Sequence, residues 1–324
     1  MLSVVVAGAG AIGSVVGGHL SAAGHDVLLV GREPHMRAIA RAGLAVSGLF
    51  GDRRAHPRTA TSLAEARASE AAPDFVLVTV KAHATATVAN ELAGWGAAPR
   101  RFVSMQNGLG NLEALAAAVG AERVLGARVI FGALIPEPGA VQVTVCAQPV
   151  AIGPASPDES LAGAARELAA AIDSAGVPCQ AVESVTPLLW EKVLYNCGLN
   201  PLGALHGLTY GEVAASATLR PLLDAAIDEG FAVAQRSGAG LPWADAASFR
   251  RYFHATLLPP TRAHRSSMRQ DLEVGRRTEV DAIGGAIVRA GERTEVATPV
   301  NAMLVERVHR AERSRDFRTG WASV

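Results

Sequence analysis

The sequence is poor in cysteine and has no excess of charge of either sign. Cys146, Cys179 and Cys197 are its only cysteines in 324 residues, and none forms a CxxC pair or a zinc-ligand pattern. So scattered and odd a set excludes a disulfide framework and points to a reducing compartment, hence the cytoplasm. Lysine plus arginine equals aspartate plus glutamate at 30 each, which speaks against a nucleic-acid or membrane-surface partner drawn in by bulk electrostatics. A local basic pocket for one anion stays open. No uninterrupted apolar run reaches membrane-spanning length. The apolar N-terminus lacks the basic flank of a signal peptide and is broken by Gly8, Gly10, Gly13, Gly17 and Gly18.

What the chain does have is length for two ordinary domains and a hydrophobic fraction of 49% to build their cores. Leu2 to Ala7 is a β-branched run, and Gly8, Ala9, Gly10, Ala11, Ile12 and Gly13 then open a helical segment reaching about Ala23. This is G-x-G-x-x-G in the strand, turn and helix context that dinucleotide binding requires. Gly8 permits the turn, Gly10 lets a pyrophosphate approach the backbone, and Gly13 lets helix and strand pack closely. The helix N-terminus offers N–H groups and a partial positive charge to the phosphates. The second strand, Asp26 to Val30, ends in Gly31-Arg32. An acidic residue there would suit a free ribose 2′-hydroxyl, whereas the guanidinium fork of Arg32 suits a 2′-phosphate, so NADP(H) is expected over NAD(H).

Leu44 to Thr61 reads as irregular strands. Asp74 to Val80 is a continuous apolar strand of the buried parallel kind and delivers Lys81 at its carboxyl end, where ligands of open α/β sheets bind. Phe102 to Met105 similarly leads into Asn107, which either caps the next helix, with Asn111 as competitor, or bonds nicotinamide and substrate. Val124 to Ile130, Ala140 to Val145 and Val150 to Gly153 read as strands, the last two as a possible hairpin. Pro157 to Gly176 has helical spacing and Pro178 to Val182 is a final strand, so the first domain spans residues 1–183.

From Ser184 the pattern turns helical, with segments at about Ser184 to Leu199, Thr218 to Ser237, Ala244 to Leu257, Met268 to Ala290 and Pro299 to Glu312. In the first of these, Lys192, Asn196 and Asn200 fall at i, i+4 and i+8 and line one stripe of an otherwise apolar helix. Burying a lysine and two carboxamides costs several kcal/mol unless each finds a partner, so the stripe suits a ligand or a polar network. Desolvation also favours proton release by the ammonium. Downstream, Ser267-x-x-Gln270 matches a capping box, and Glu279 is either a surface carboxylate or an anion orienting a lysine. The tail from Ser314 to Val324 carries no readable motif.

Gly8 to Gly13, Lys81-Ala82, Asn107-Gly108, Trp190-x-Lys192 through Asn196-Cys197 to Asn200-Pro201, and Ser266-Ser267-Met268-x-Gln270-Asp271 followed by Thr278-Glu279-x-Asp281 appear in one order. On these five motifs the sequence resembles the ketopantoate reductase (2-dehydropantoate 2-reductase) family over nearly its whole length. The resemblance implies an α/β Rossmann-type NADP-binding domain at 1–183. An all-α domain of 6-phosphogluconate-dehydrogenase-like architecture would follow at 184–324. It implies NADPH-dependent reduction of a small 2-keto acid, ketopantoate to pantoate, on the route to coenzyme A, with no metal and a monomer or homodimer as assembly. Lys192 matches the general acid and Glu279 the carboxylate that positions it. Asn107, Asn196, Asn200 and Ser267 match substrate contacts. Lys81, Asn107 and Glu279 join Arg32 and the Gly8 to Gly13 loop as cofactor contacts.

Four positions depart from the family pattern. His264 and Tyr210 stand where some members carry substrate-contacting asparagines, and Lys81-Ala82 is followed by His83-Ala84 in place of an aromatic and Gln. These leave the reaction type intact and open the alternative of another branched or bulkier 2-keto acid. A nucleotide sensor without turnover would have no need of Lys192.

Overall fold

The computed structural model describes residues 1–69, 72–95 and 99–314, so nearly all of the C-terminal tail lies outside it. Two compact units result, one of Met1–Gln106 with Gly110–Val185, the other of Asn107–Leu109 with the chain from Thr186 onward.

The first unit is built on strands β1 (Ser3–Ala7), β2 (Asp26–Val30), β3 (Leu44–Gly48), β4 (Arg53–Ala55), β5 (Arg58–Ala60), β6 (Phe75–Val78), β7 (Arg101–Ser104), β8 (Val124–Arg128), β9 (Phe131–Leu134), β10 (Ala140–Cys146), β11 (Val150–Gly153) and β12 (Cys179–Ala181). Eight of them form one sheet in the order β12-β11-β8-β7-β6-β1-β2-β5, parallel at every pairing except β11 with β8. Its helices are α1 (Ala11–Ala22), α2 (Glu33–Ala42), α3 (Leu63–Ser69), α4 (Thr85–Ala93), α5 (Asn111–Val119) and α6 (Glu159–Ser174). The central strands are apolar without alternation because both faces are covered. Val4 and Val6 of β1 enter one core with α1 and α6, while Val5 and Ala7 enter a second core with α3, α4 and α5.

β4, β3, β10 and β9 make a separate mixed sheet. The irregular stretch Leu44 to Thr61 is thereby divided between two sheets, and the expected hairpin of Ala140 to Val145 with Val150 to Gly153 does not form. β10 pairs with β3 and β9, whereas β11 pairs with β8 and β12. Pairing between distant strands overrode proximity in sequence. The second sheet also explains why α1 is buried on all sides. A Cβ on Gly17 would sit 2.5 Å from Leu29 of the large sheet, and one on Gly18 would sit 2.8 Å from Val46 of the small one.

The second unit is helical: α7 (Thr186–His206), α8 (Tyr210–Ala215), α9 (Leu219–Arg236), α10 (Ala246–Tyr252), α11 (Ser267–Glu273), α12 (Gly284–Thr294) and α13 (Pro299–Arg313). None of the described helices is long and apolar enough to cross a membrane. α7 runs past the expected end at Leu199 and through Pro201, because Leu199, Leu202 and Ala204 are all buried in its core. Glycines let the helices close up: a Cβ on Gly198 of α7 would lie 2.6 Å from Leu223 of α9. The single helix expected over Met268 to Ala290 is two. α11 stops before Gly275, whose φ of +64° is a left-handed conformation favouring glycine, and α12 starts only at Gly284. The intervening segment carries Glu279.

Candidate functional site

In the first unit the glycine motif adopts the geometry its spacing implies. Gly8 has φ of +110°, and a Cβ there would approach the Val80 nitrogen to 2.7 Å. The Thr79 hydroxyl donates to the Gly8 carbonyl at 2.6 Å and pins the turn. Around Gly10 the space is open instead, since a Cβ would meet only the Gly8 oxygen, at 3.9 Å. Gly10 is the N-cap of α1 and makes no side-chain cap bond, so the first turn of the helix opens onto that space. A closed turn, an open middle glycine and an uncapped helix start fit a dinucleotide pyrophosphate. Ala9, Ala11 and Ile12 lie within this loop and first turn.

Arg32 follows β2 as the exposed N-cap residue of α2. Neighbouring Glu33 forms an i,i+4 ion pair with Arg37, one turn along α2. Lys81 follows β6 and precedes a 3-10 turn at Ala82–Ala84 that also holds the departures His83 and Ala84. A buried network not anticipated from sequence fixes this segment. Gln106 donates to the Val80 carbonyl at 3.0 Å and to the Thr85 hydroxyl at 2.6 Å, and Thr85 donates to Asn111 Oδ1 at 2.7 Å. The one available signal was a glutamine at the end of an apolar strand.

The capping role considered for Asn107 and Asn111 belongs to neither. α5 begins after Gly110 with no side-chain cap. Asn107 belongs with the helical unit, where its Oδ1 accepts from Lys192 Nζ at 2.6 Å and its Nδ2 donates to Glu279 Oε2 at 3.1 Å. Lys192, Asn107 and Glu279, from three separate stretches of sequence, thus form one chain of hydrogen bonds. The carboxylate polarises the amide and makes its oxygen a better acceptor for the ammonium. Glu279 is buried, as are Asn196 and Asn200 further along the α7 stripe, and Lys192 is half-buried. Cys197 lies on the same helix, but burial pushes its thiol up to about 12, so it contributes no nucleophile.

The Asn107 position depends on Gly108. That residue has φ of +84°, and a Cβ would fall 2.3 Å from the Ala282 oxygen, the same oxygen that accepts the Leu109 N–H at 2.8 Å. Gly108→Ala is therefore expected to displace Asn107 from Lys192 and Glu279 and, for a reaction that uses this bonded series, to lower kcat/KM by roughly tenfold or more, since a shift of about 1 Å in such a group costs that much and beyond. Steady-state kinetics check this. Parental kcat/KM would mean Asn107 does not need its present position.

Ser266, not Ser267, is the N-cap of α11 and accepts from the Arg269 N–H at 3.1 Å. The expected capping box does not form: the cap lies one residue earlier, with Arg269 at the third helical position, and buried Ser266 also donates to the Asn200 carbonyl at 3.4 Å. Ser267, the first residue of α11, is exposed and lies outside the cap. Tyr210 donates to Asn200 Oδ1 at 2.6 Å, and its ring packs edge-on against His264.

Two family models match the chain. One, described as ketopantoate reductase PanE/ApbA, covers residues 4–157, and its C-terminal counterpart covers residues 184–312. A 2-dehydropantoate 2-reductase of Aquifex aeolicus is 32% identical over 315 residues, spanning 96% of this chain and 97% of the relative. One of Archaeoglobus fulgidus is 36% identical over 309 residues, spanning 95% and 97%. Among solved structures, a PanE/ApbA family ketopantoate reductase from Ralstonia eutropha superposes with a TM-score of 0.82 at 30% identity, covering 95% of this chain and 98% of that one. A D-mandelate dehydrogenase solved with NADH and anilino(oxo)acetate shares the fold, with a TM-score of 0.83 at 23% identity over 95% and 98%.

Proposed function

This chain belongs to the ketopantoate reductase family, and from that premise we propose that it reduces ketopantoate to pantoate with NADPH. It is an oxidoreductase acting on a CH–OH group. The observation that carries the reading is the bonded series of Lys192, Asn107 and Glu279 beside the two asparagines of α7.

When bound, the reduced nicotinamide supplies the hydride that adds to the keto carbon. The residues of this chain deal with the charge that develops on the keto oxygen. Lys192 stabilises that charge as an ammonium and gives the oxygen its proton, recovering one from water afterwards. Asn107 and Glu279 hold the ammonium in position. Asn196, Asn200 and Ser267 orient the acid, and the loop from Gly8 to Gly13 with Lys81 holds the cofactor. The three free cysteines suit a cytoplasmic enzyme.

NADPH preference rests on Arg32. With Glu33 engaged by Arg37, the Arg32 guanidinium is the charge at the end of β2 suited to a 2′-phosphate. A charge-assisted hydrogen bond is worth about 1.5–3 kcal/mol, and about 1.4 kcal/mol is tenfold in binding. Arg32→Ala is accordingly expected to raise KM for NADPH roughly 10- to 100-fold and to leave KM for NADH nearly unchanged. An equal effect on both would remove Arg32 from cofactor discrimination.

The first experiment is oxidation of NADPH by the purified protein on addition of ketopantoate, with NADH in parallel. Rapid turnover with an NADPH preference is expected. NADPH binding without turnover of ketopantoate would overturn the substrate. The bond between Tyr210 and Asn200 favours one second reading, a reductase of a different branched 2-keto acid, which a panel of such acids distinguishes.

A further inference from the structure

Asn200 ends the polar stripe of α7, and its side chain has two unlike halves. The carbonyl oxygen accepts hydrogen bonds, whereas the NH₂ group only donates. The Tyr210 hydroxyl donates to that oxygen at 2.6 Å, and both residues are only 4% exposed. With one lone pair of that oxygen taken by the phenol, the half of the Asn200 side chain not engaged by Tyr210 is its NH₂ group, with two N–H donors.

Tyr210 is itself held firmly. Its backbone N–H donates to the His264 carbonyl at 3.1 Å, and the His264 ring lies edge-on to the phenol ring with centroids 5.1 Å apart. Tyr195 packs on it edge-on at 5.7 Å and has its own hydroxyl bonded to Thr261. Asn200 is fixed from the other side by Ser266, which bonds its backbone carbonyl. Burial raises the Tyr210 pKa well above its ordinary value, so the phenol remains a donor. Burial lowers that of His264, so the ring brings no second positive charge at neutral pH.

We propose that Tyr210 is a specificity-determining positioning residue, which holds the Asn200 carboxamide by its oxygen so that the NH₂ donors are what it presents to the substrate. This end of the stripe then recognises an acceptor oxygen of the 2-keto acid, carboxylate or side-chain hydroxyl. The proposal rests on the reading of the α7 stripe as the site of a 2-keto acid reductase. Tyr210 and His264, two departures from the family pattern, act as one device in which the second seats the first.

The test compares wild type, Tyr210→Phe, Asn200→Ala and the double variant on two acids, ketopantoate and 3,3-dimethyl-2-oxobutanoate, the same acid without its 4-hydroxyl. Wild-type turnover of ketopantoate is read first and by itself decides the functional reading. Tyr210 is then decided on whichever acid of the pair the wild type reduces. Tyr210→Phe is expected to raise KM about tenfold with kcat within about threefold, the signature of lost substrate binding. The double variant should be no worse than Asn200→Ala, because the two side chains act as a unit. A rise for ketopantoate alone identifies the hydroxyl oxygen as the group recognised, and an equal rise for both acids identifies the carboxylate. Unchanged KM, or effects that multiply in the double variant, would overturn the proposal. NADPH affinity and the thermal midpoint establish that each variant is folded. If Tyr210→Phe does not fold, Tyr210→Leu carries the same expectation.

Discussion

Lys192→Ala is expected to lower kcat by about 10² to 10⁴, the range for loss of a positioned general acid. NADPH affinity should stay within about twofold of the parent, because binding of the cofactor is assigned mainly to the glycine loop and Arg32. The size follows from what the ammonium is asked to do. In the ground state it bonds the neutral Asn107 amide at 2.6 Å, and only as the keto oxygen gains charge does it meet an anion that it can neutralise and protonate. An interaction made mainly in the transition state lowers kcat and kcat/KM together when removed. Single-turnover oxidation of NADPH at saturating ketopantoate measures this directly. Turnover within about threefold of wild type would sink the assignment of Lys192 as general acid.

Gly13→Val is expected to abolish useful cofactor binding. The residue faces Thr79, the Gly8 carbonyl and Val6, and even a lone Cβ would fall 2.5, 2.7 and 2.8 Å from them. The branches of valine have no space to enter, so α1 must lift from the sheet and carry its N-terminus away from the pyrophosphate position. Overpacking of this kind costs about 1–3 kcal/mol, and about 3 kcal/mol corresponds to a hundredfold in affinity. A fluorescence titration with NADPH reads the loss. Lys192→Ala, which keeps the loop intact, is the matched control. Parental affinity in Gly13→Val would show that close packing of α1 on the sheet is not what places the loop.

Several of these side chains were legible in the sequence because their placement is a local matter. Gly8, Gly10 and Gly13 lie within one strand, turn and helix, and the tasks of a glycine there are set by backbone sterics over a few residues. The spacing of Lys192, Asn196 and Asn200 likewise follows from helical periodicity alone. The unbroken apolar runs of β1 and β6 likewise announced strands buried on both faces.

Other features depended on which distant segments meet. An asparagine after a strand caps a helix or bridges two charges with the same chemistry. Asn107 does the second because Lys192, 85 residues away, and Glu279, 172 residues away, arrive at its two ends. The break between α11 and α12, the displacement of the α11 cap to Ser266 and the small second sheet share this cause. So does Tyr210, whose sequence position says nothing about the amide it would bond. Sequence by itself determined the glycine turn, the buried strands and the polar stripe, since local geometry suffices for each. Only the tertiary structure decided how the hydrogen-bonding capacity of Asn107, Asn200 and Ser266 is used, because a donor or acceptor takes its role from a partner that folding brings to it.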